Sequence, residues 1–129
     1  MTRLLATIAA MIAAFACAAS AQTTALAHSP AYEAAAECTI DVTRTRHGIR
    51  FEALVRAEDN TAGEYEFILT KDDRGGSSDI MQAGAFSLAA GEESMLGSSE
   101  ISLDRGAEYR ARLVLWNGSE ETCRAERHS

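Results

Sequence analysis

From Cys38 onward, apolar residues recur at every second position, and this period constrains the fold more than any other feature. Cys38, Ile40 and Val42 alternate with polar residues, and the alternation returns at residues 65–69 and 109–115. A period of two is typical of β-strands that bury one face and expose the other. The same region lacks the longer period of an amphipathic helix. We therefore expect an all-β domain.

The alternation predicts about seven short antiparallel strands, and turn-forming residues separate them. We place the strands at residues 38–43, 49–56, 64–70, 79–88, 94–103, 109–116 and 120–124. Residues 58–63 and 72–78 are predicted loops, and Asn117-Gly118 is the strongest hairpin signal. Gly84 is expected to mark a bulge or a sheet crossing. Strands of this number and spacing are typical of a single immunoglobulin-like β-sandwich.

The start of the chain predicts export. Arg3 precedes an apolar stretch over residues 4–19, and the small residues Ala19 and Ala21 fit the signal-peptidase rule. The stretch is shorter and richer in alanine than a membrane span of roughly 20 apolar residues. An uncleaved anchor and lipidation at Cys17 are the alternatives. We predict a signal peptide at residues 1–21 and a periplasmic protein that leaves the membrane after cleavage.

Residues 22–36 form a second predicted region. They are small and polar, and they include Pro30 and an alanine run, so they offer little to pack into a core. We interpret them as a flexible leader. Residues 37–129 then form the sandwich, which is long enough for one hydrophobic core.

Two cysteines, Cys38 and Cys123, remain after the predicted cleavage. One lies at the start of the alternating region and the other near its end. In an oxidising compartment such a pair predicts a structural disulfide that joins the first strand to the last. The alternative is a redox-active pair, although redox cysteines normally sit two residues apart.

Charge and motif content argue against several classes of function. The formal net charge is −7, and an acidic chain repels phosphate backbones, so we expect no nucleic-acid partner. His28, His47 and His128 are isolated and lack metal-ligand spacing. Motifs that activate a nucleophile are also missing. We expect no enzyme activity, no catalytic residue, no metal and no cofactor.

Arginines on the solvent side of the predicted strands are the candidate binding residues. Four lie in the first predicted hairpin and two in the late strand: Arg44, Arg46, Arg50, Arg56, Arg110 and Arg112. A positive sheet face would attract an acidic or polar extended partner. Solubility and protection of strand edges explain the same residues equally well.

Four apolar residues also fall on the solvent side: Leu54, Ile68, Val114 and Trp116. Together they predict an exposed apolar patch. The alternative is that the leader or a loop covers them.

Residues 69–92 resemble the central part of the CsgC-like curli assembly proteins, and most closely the branch called CsgH. The resemblance is carried by the small-residue loop at Gly75-Gly76, by Gln82-x-Gly84-x-Phe86, and by the 109–118 strand with its Asn-Gly turn. It extends over about residues 38–124. It implies an immunoglobulin-like sandwich in the periplasm.

The resemblance also implies a function and a partner. Such a protein would keep disordered, CsgA-like curli subunits soluble and secretion-competent through transient electrostatic contacts, and so prevent premature amyloid formation. We expect it to act as a monomer. The enterobacterial branch carries Cys-x-Cys where this chain has Gly63-Glu64-Tyr65, so that motif cannot support a thiol-redox role here. A periplasmic thiol–disulfide module and a structural fimbrial or adhesin-type subunit remain alternative hypotheses.

Overall fold

Two antiparallel sheets stack face to face in the computed structural model, which describes residues 35–129. The strands are β1 (Ala36–Arg44), β2 (Ile49–Ala57), β3 (Thr61–Asp73), β4 (Gly76–Leu88), β5 (Glu93–Ile101), β6 (Glu108–Asn117) and β7 (Glu120–His128). One sheet has the order β1-β2-β5 and the other the order β4-β3-β6-β7. The predicted all-β sandwich of seven antiparallel strands is therefore confirmed. The predicted signal peptide and the leader as far as residue 34 lie outside the described residues.

The core lies between the sheets and follows the period of two. In β2, alternate residues are buried from Ile49 to Ala57, and Phe51 is fully buried. The four-stranded sheet contributes Phe67 from β3 and Leu113 from β6, both fully buried. Removing such a side chain from water stabilises the fold by roughly 1.5–3 kcal/mol. The alternating residues thus bring the two sheets together.

The predicted loop at residues 72–78 is wrong for most of its length. β3 continues to Asp73 and β4 begins at Gly76, so only Arg74 and Gly75 lie between the strands. The Asp73 carboxylate accepts a hydrogen bond of 2.8 Å from the Gly75 N–H, and Gly76 adopts a φ of +117°. This local bonding makes a tight turn possible. Two serines and an aspartate fit the start of β4 because residues 76–79 are exposed.

Other predicted boundaries shift by a few residues. β3 begins at Thr61, within the predicted loop 58–63, and β7 continues beyond residue 124 to His128. β5 ends at Ile101, so Leu103 lies in the following connection although it packs against the core. β1 begins at Ala36, which is 2% exposed and belongs to the core. Polar composition alone did not locate these strand ends.

The bulge predicted at Gly84 is also wrong, because the β3–β4 register is continuous. Gly84 pairs with Tyr65, and a Cβ at this glycine would lie 3.2 Å from Cε1 of the Tyr65 ring. Glycine therefore leaves room for an aromatic ring. The register shifts occur instead between Ala53 and Leu54 in the β2–β5 pair, and between Leu115 and Trp116 in the β6–β7 pair.

Different bonds close the two open sides of the sandwich. Cys38 of β1 and Cys123 of β7 form a disulfide with a Cα–Cα distance of 5.9 Å, as predicted. We call this side the disulfide seam. On the other side, the Gln82 side chain of β4 donates to the Ser98 carbonyl of β5 at 2.8 Å and accepts from the Ser98 N–H at 3.1 Å. We call that side the amide seam.

None of the described residues belongs to a helix long and apolar enough to cross a membrane.

Candidate interaction surface

The structure divides the six predicted arginines between the two sheets. Arg50 and Arg56 lie on β2 of the three-stranded sheet, and Arg110 and Arg112 lie on β6 of the four-stranded sheet. Arg44 is the last residue of β1, and Arg46 lies in the connection that follows. The arginines of β2 and those of β6 therefore belong to different faces of the sandwich. The sequence could not show this, because strand membership in a sheet depends on pairing between distant segments.

Carboxylates accompany the arginines of the three-stranded sheet. Arg50 forms an ion pair of 3.1 Å with Glu100, and Arg56 approaches Glu58 at 4.0 Å. Glu100 also accepts a hydrogen bond of 2.9 Å from the Thr45 hydroxyl. This hydroxyl, and then Arg50, holds the pKa of Glu100 below its ordinary value. The charge of Arg50 is therefore largely neutralised by Glu100 within the same chain.

On one half of the solvent-facing side of the four-stranded sheet, which we call the outer face, Arg110 and Arg112 lie among carboxylates that include Asp72, Glu108 and Glu126. Arg110 is exposed and pairs in register with Thr70 on one side and His128 on the other. Within residues 35–129, no carboxylate lies within ion-pair distance of Arg110. Arg112 contacts Glu66 at 3.4 Å. Among the four predicted binding arginines of β2 and β6, Arg110 is thus the one without an ion pair in the described part of the chain.

Two shallow depressions surround Arg110. The larger, of about 440 Å³, lies among residues 70–72, residues 108–110, Ser77 and the end of β7. The smaller, of about 210 Å³, lies between Arg110, Arg112 and Glu126. Both contain Thr70, whose hydroxyl donates to the Arg110 carbonyl at 3.2 Å. They form one open surface beside the Arg110 guanidinium group.

The other half of the outer face is acidic and aromatic. Residues 64–66 of β3, residues 83–85 of β4 and Trp116 of β6 surround a depression of about 410 Å³. Glu64 is exposed and has no ion pair among the described residues. Of this half, only Trp116 was predicted on the solvent side, because strand pairing brings the carboxylates beside it. The run Ala83-Gly84-Ala85 was a further signal, since it leaves β4 almost without side chains at three consecutive positions.

The predicted patch of four apolar residues is not a single surface. Leu54 belongs to the three-stranded sheet, whereas Ile68, Val114 and Trp116 belong to the four-stranded one. Val114 is only 2% exposed although it lies outside the core cluster, because it sits on the outer face between Glu66 and Arg124. Long charged side chains can cover an apolar neighbour with their aliphatic parts. The continuous apolar run at residues 113–116 was the sequence signal for burial on both faces of β6.

The described residues offer ionic contacts and backbone hydrogen bonds at an open surface. No three His, Cys, Asp or Glu side chains within residues 35–129 are placed to hold a metal ion. The depressions are open. The fold and these surfaces define a small disulfide-linked β-sandwich with charged, accessible sheet faces.

Comparison with known families identifies the group to which this sandwich belongs. The sequence model of the family described as CsgH protein matches residues 37–128. The chain therefore belongs to the CsgH family, and the resemblance found in the sequence is confirmed. A search of curated protein sequences gave no match.

Solved structures share the fold. The solution structure of R. palustris CsgH is 24% identical, with a TM-score of 0.58, over 70% of this chain and 89% of its own length. The E. coli curli protein CsgC is 12% identical, with a TM-score of 0.61, over 72% of this chain and 96% of its own length. At these identities the likeness concerns architecture alone. The disulfide, together with the family, indicates an extracytoplasmic location.

Proposed function

We propose that this protein acts in the periplasm as a non-enzymatic inhibitor of curli amyloid formation, and that it holds disordered curli subunits soluble through transient electrostatic contacts. The observation that carries the proposal is the family match over residues 37–128, which covers the whole sandwich and associates the chain with curli assembly. One structure with the same fold is itself a curli protein. The inhibitory mechanism is the one that the resemblance to the CsgC-like proteins implies, and the charged outer face supports it.

The outer face supports a weak and rapid mode of contact. Arg110 has no ion pair among residues 35–129 and lies beside open depressions, so a client segment can reach it without entering a pocket. Complementary charge speeds encounter more than it strengthens the final complex. A contact of this kind forms often and dissociates quickly. It would delay nucleation while leaving the subunit free for secretion.

A fibrillation assay tests the function directly. Purified curli subunit is allowed to polymerise in the presence of an amyloid dye, with and without this protein at a substoichiometric ratio. We expect the lag before fibril growth to lengthen. An unchanged lag would reject the proposed function as a whole.

Charge reversal tests which face acts. We expect Arg110→Glu to remove most of the extension of the lag, because it replaces the free guanidinium with a carboxylate. Arg56→Glu is the matched control, since it makes the same change at an exposed arginine on the other sheet. An equal loss in both variants would show that net charge, and not the outer face, is responsible.

Salt gives a second test of the mechanism. Raising the salt concentration to about 1 M shortens the Debye length to about 3 Å, which screens exposed charges. The extension of the lag should then fall toward zero for the unaltered protein. An extension that survives high salt would indicate apolar contact instead.

A further inference from the structure

The four sheet edges of the sandwich are not equally protected. Native proteins blunt exposed edges with charges, bulges, short strands or a covering group. β7 carries five Asp, Glu, Lys or Arg residues among its nine and has a register shift in its pairing with β6. β1 carries three such charges among nine residues and is joined to β7 by the disulfide. β5 has a register shift and receives the Gln82 amide.

β4 is the exception. It is 13 residues long, it pairs without interruption along β3, and its single charged residue is Asp79. It contains no proline, lysine or arginine. Among the described residues, no strand lies beyond it and no side chain bonds to the backbone along its outer edge. The backbone groups along this edge are therefore unpaired within residues 35–129, although the Gln82 side chain reaches β5 at the amide seam.

The side chains of β4 also leave this edge accessible. Ala83, Gly84 and Ala85 are exposed, and they form the low rim of the depression bounded by Glu64 and Trp116. A strand added beyond β4 would lie roughly 10 Å from β3, which is two strand spacings. A long side chain on that added strand would cross the alanines and reach the β3 carboxylates.

The charge of the depression selects the partner. Glu64 has no cation within ion-pair distance among residues 35–129, and Glu66 shares only a 3.4 Å contact with Arg112. Trp116 forms the far wall, and an indole face attracts cations. A lysine or arginine side chain would bring a positive charge to the depression that these groups line. An acidic side chain would meet two carboxylates.

We propose that the free edge of β4 binds an extended polypeptide strand by β-augmentation, with a lysine or arginine of that strand lying over Ala83 or Ala85 toward Glu64. This mode of recognition takes affinity from backbone pairing and specificity from alternate side chains. The proposal deepens the proposed function, on which it rests only for the identity of the natural client. A second copy of this chain is a poorer occupant, because β4 carries no cation to offer.

The experiment titrates the ¹⁵N-labelled protein with a nine-residue peptide of alternating threonine and valine that has a central lysine. We expect chemical-shift changes along residues 80–86 and at the Trp116 indole N–H. A peptide with a central glutamate should bind at least tenfold more weakly. A lysine peptide methylated at the backbone nitrogens of one edge should not bind. Shift changes confined to the Arg110 region would overturn the proposal.

Variants locate the site. Ala85→Lys fills the depression and places a charge on the edge, so the lysine peptide should bind at least tenfold more weakly. Ser102→Lys, which adds the same charge at an exposed residue outside the sheets, should stay within twofold of the unaltered protein. Glu64→Gln leaves the edge intact and should reduce the preference for lysine over glutamate. It keeps the proposal testable even when Ala85→Lys does not fold.

The outcomes separate this proposal from the proposed function, because no curli subunit is present in the titration. Peptide binding without any delay of fibrillation would reject the function and leave the β4 edge as a strand-binding site. Delayed fibrillation without peptide binding would reject the edge and retain the function. Concentration-dependent self-association that Ala85→Lys abolishes would overturn the proposal in favour of pairing between copies of this chain.

Discussion

One side of the sandwich is closed by a covalent bond and the other by a side-chain amide. At the disulfide seam, Cys38 and Cys123 are 85 residues apart in sequence and join the first strand to the last. At the amide seam, Gln82 and Ser98 are 16 residues apart, and the amide bonds to the backbone as a neighbouring strand would. The first seam limits the unfolded chain, whereas the second acts only in the folded protein.

The two seams differ in how closely their residues have to pack. A disulfide holds its two strands together covalently, whereas the amide bonds form only where the backbone of β5 comes within hydrogen-bond distance of Gln82. Gly97 provides this approach, because a Cβ there would lie 2.5 Å from Oε1 of Gln82 and 3.1 Å from Cδ1 of Phe67. A side chain at position 97 therefore has no room unless Gln82 or Phe67 shifts. At this seam, adding or removing a few side-chain atoms should change the Gln82–Ser98 hydrogen bonds directly.

The largest effect is expected from breaking the disulfide seam. Cys38→Ala with Cys123→Ala removes a crosslink that closes a long loop, so the free energy of unfolding should fall by about 2–5 kcal/mol. Urea denaturation followed by tryptophan fluorescence measures this change. The unaltered protein in a reducing agent should behave like the variant, which should itself be insensitive to the agent. A fall below about 1 kcal/mol would show that packing alone holds β1 against β7.

The next effect is expected from crowding the amide seam. Gly97→Ala should lower the free energy of unfolding by about 1–3 kcal/mol, because its methyl group displaces the Gln82 amide from Ser98. The same substitution in a Gln82→Ala background is the control, and there the penalty should shrink. An equal penalty in both backgrounds would identify Phe67 as the obstruction instead.

The two seams also differ in how far the sequence revealed them. The disulfide was predictable, since two cysteines at the ends of an alternating region in an exported chain have one simple pairing. The amide seam was not, because a lone glutamine in a weakly patterned strand carries no sign of its partner. Gly84 illustrates the same limit, for its role depends on the Tyr65 ring across the strand pair. Periodicity predicts strands, but contacts between sheets depend on the pairing of distant segments.

The candidate surface was predictable to a similar degree. The outward position of Arg110 and Arg112 follows from the alternation of β6, and the structure places them on one face. The separation of Arg50 and Arg56 from them could not be predicted, because nothing local assigns β2 and β6 to different sheets. The acidic half around Trp116 could not be predicted either, because its residues come together only through the pairing of β4, β3 and β6.

A smaller effect is expected from removing the amide without crowding it. Gln82→Ala should cost about 1 kcal/mol in the free energy of unfolding, because exposed Ser98 can bond to water instead. Hydrogen exchange at the Ser98 N–H should accelerate. Exchange at the Cys38 and Cys123 amides serves as the internal control and should not change. Acceleration at both seams would mean that the sandwich opens as a whole.

Gln82→Glu sharpens this test. At neutral pH its carboxylate can accept from the Ser98 N–H but meets the Ser98 carbonyl with no proton to donate. Below about pH 4 the side chain becomes protonated and regains a donor. Relative to Gln82→Ala, the Glu variant should therefore gain protection at Ser98 as the pH falls. A variant that loses protection on acidification would show that the donated bond is unimportant.

The smallest effect is expected from acid acting on the unaltered protein. Arg124 holds the pKa of Glu121 on β7 below its ordinary value, and the Thr45 hydroxyl followed by Arg50 does the same for Glu100 on β5. A carboxyl group whose pKa is lowered by folding stabilises the native state above its unfolded pKa of about 4.3, and this stabilisation disappears as the pH falls through the folded value. Acid therefore weakens a strand at each seam.

The seams should nevertheless respond unequally. When the pH falls below about 4, β7 remains tethered by the disulfide, whereas β5 keeps only the Gln82 amide at its outer edge. Protection from hydrogen exchange should thus fall several-fold more in β5 than in β7, and Glu100→Gln should already show the lower β5 protection at neutral pH. If β5 and β7 lose protection equally, the carboxylates rather than the bonds between the sheets set local stability. In that case the reduced protein should show the same pattern as the oxidised one, because the crosslink would contribute only through the unfolded chain.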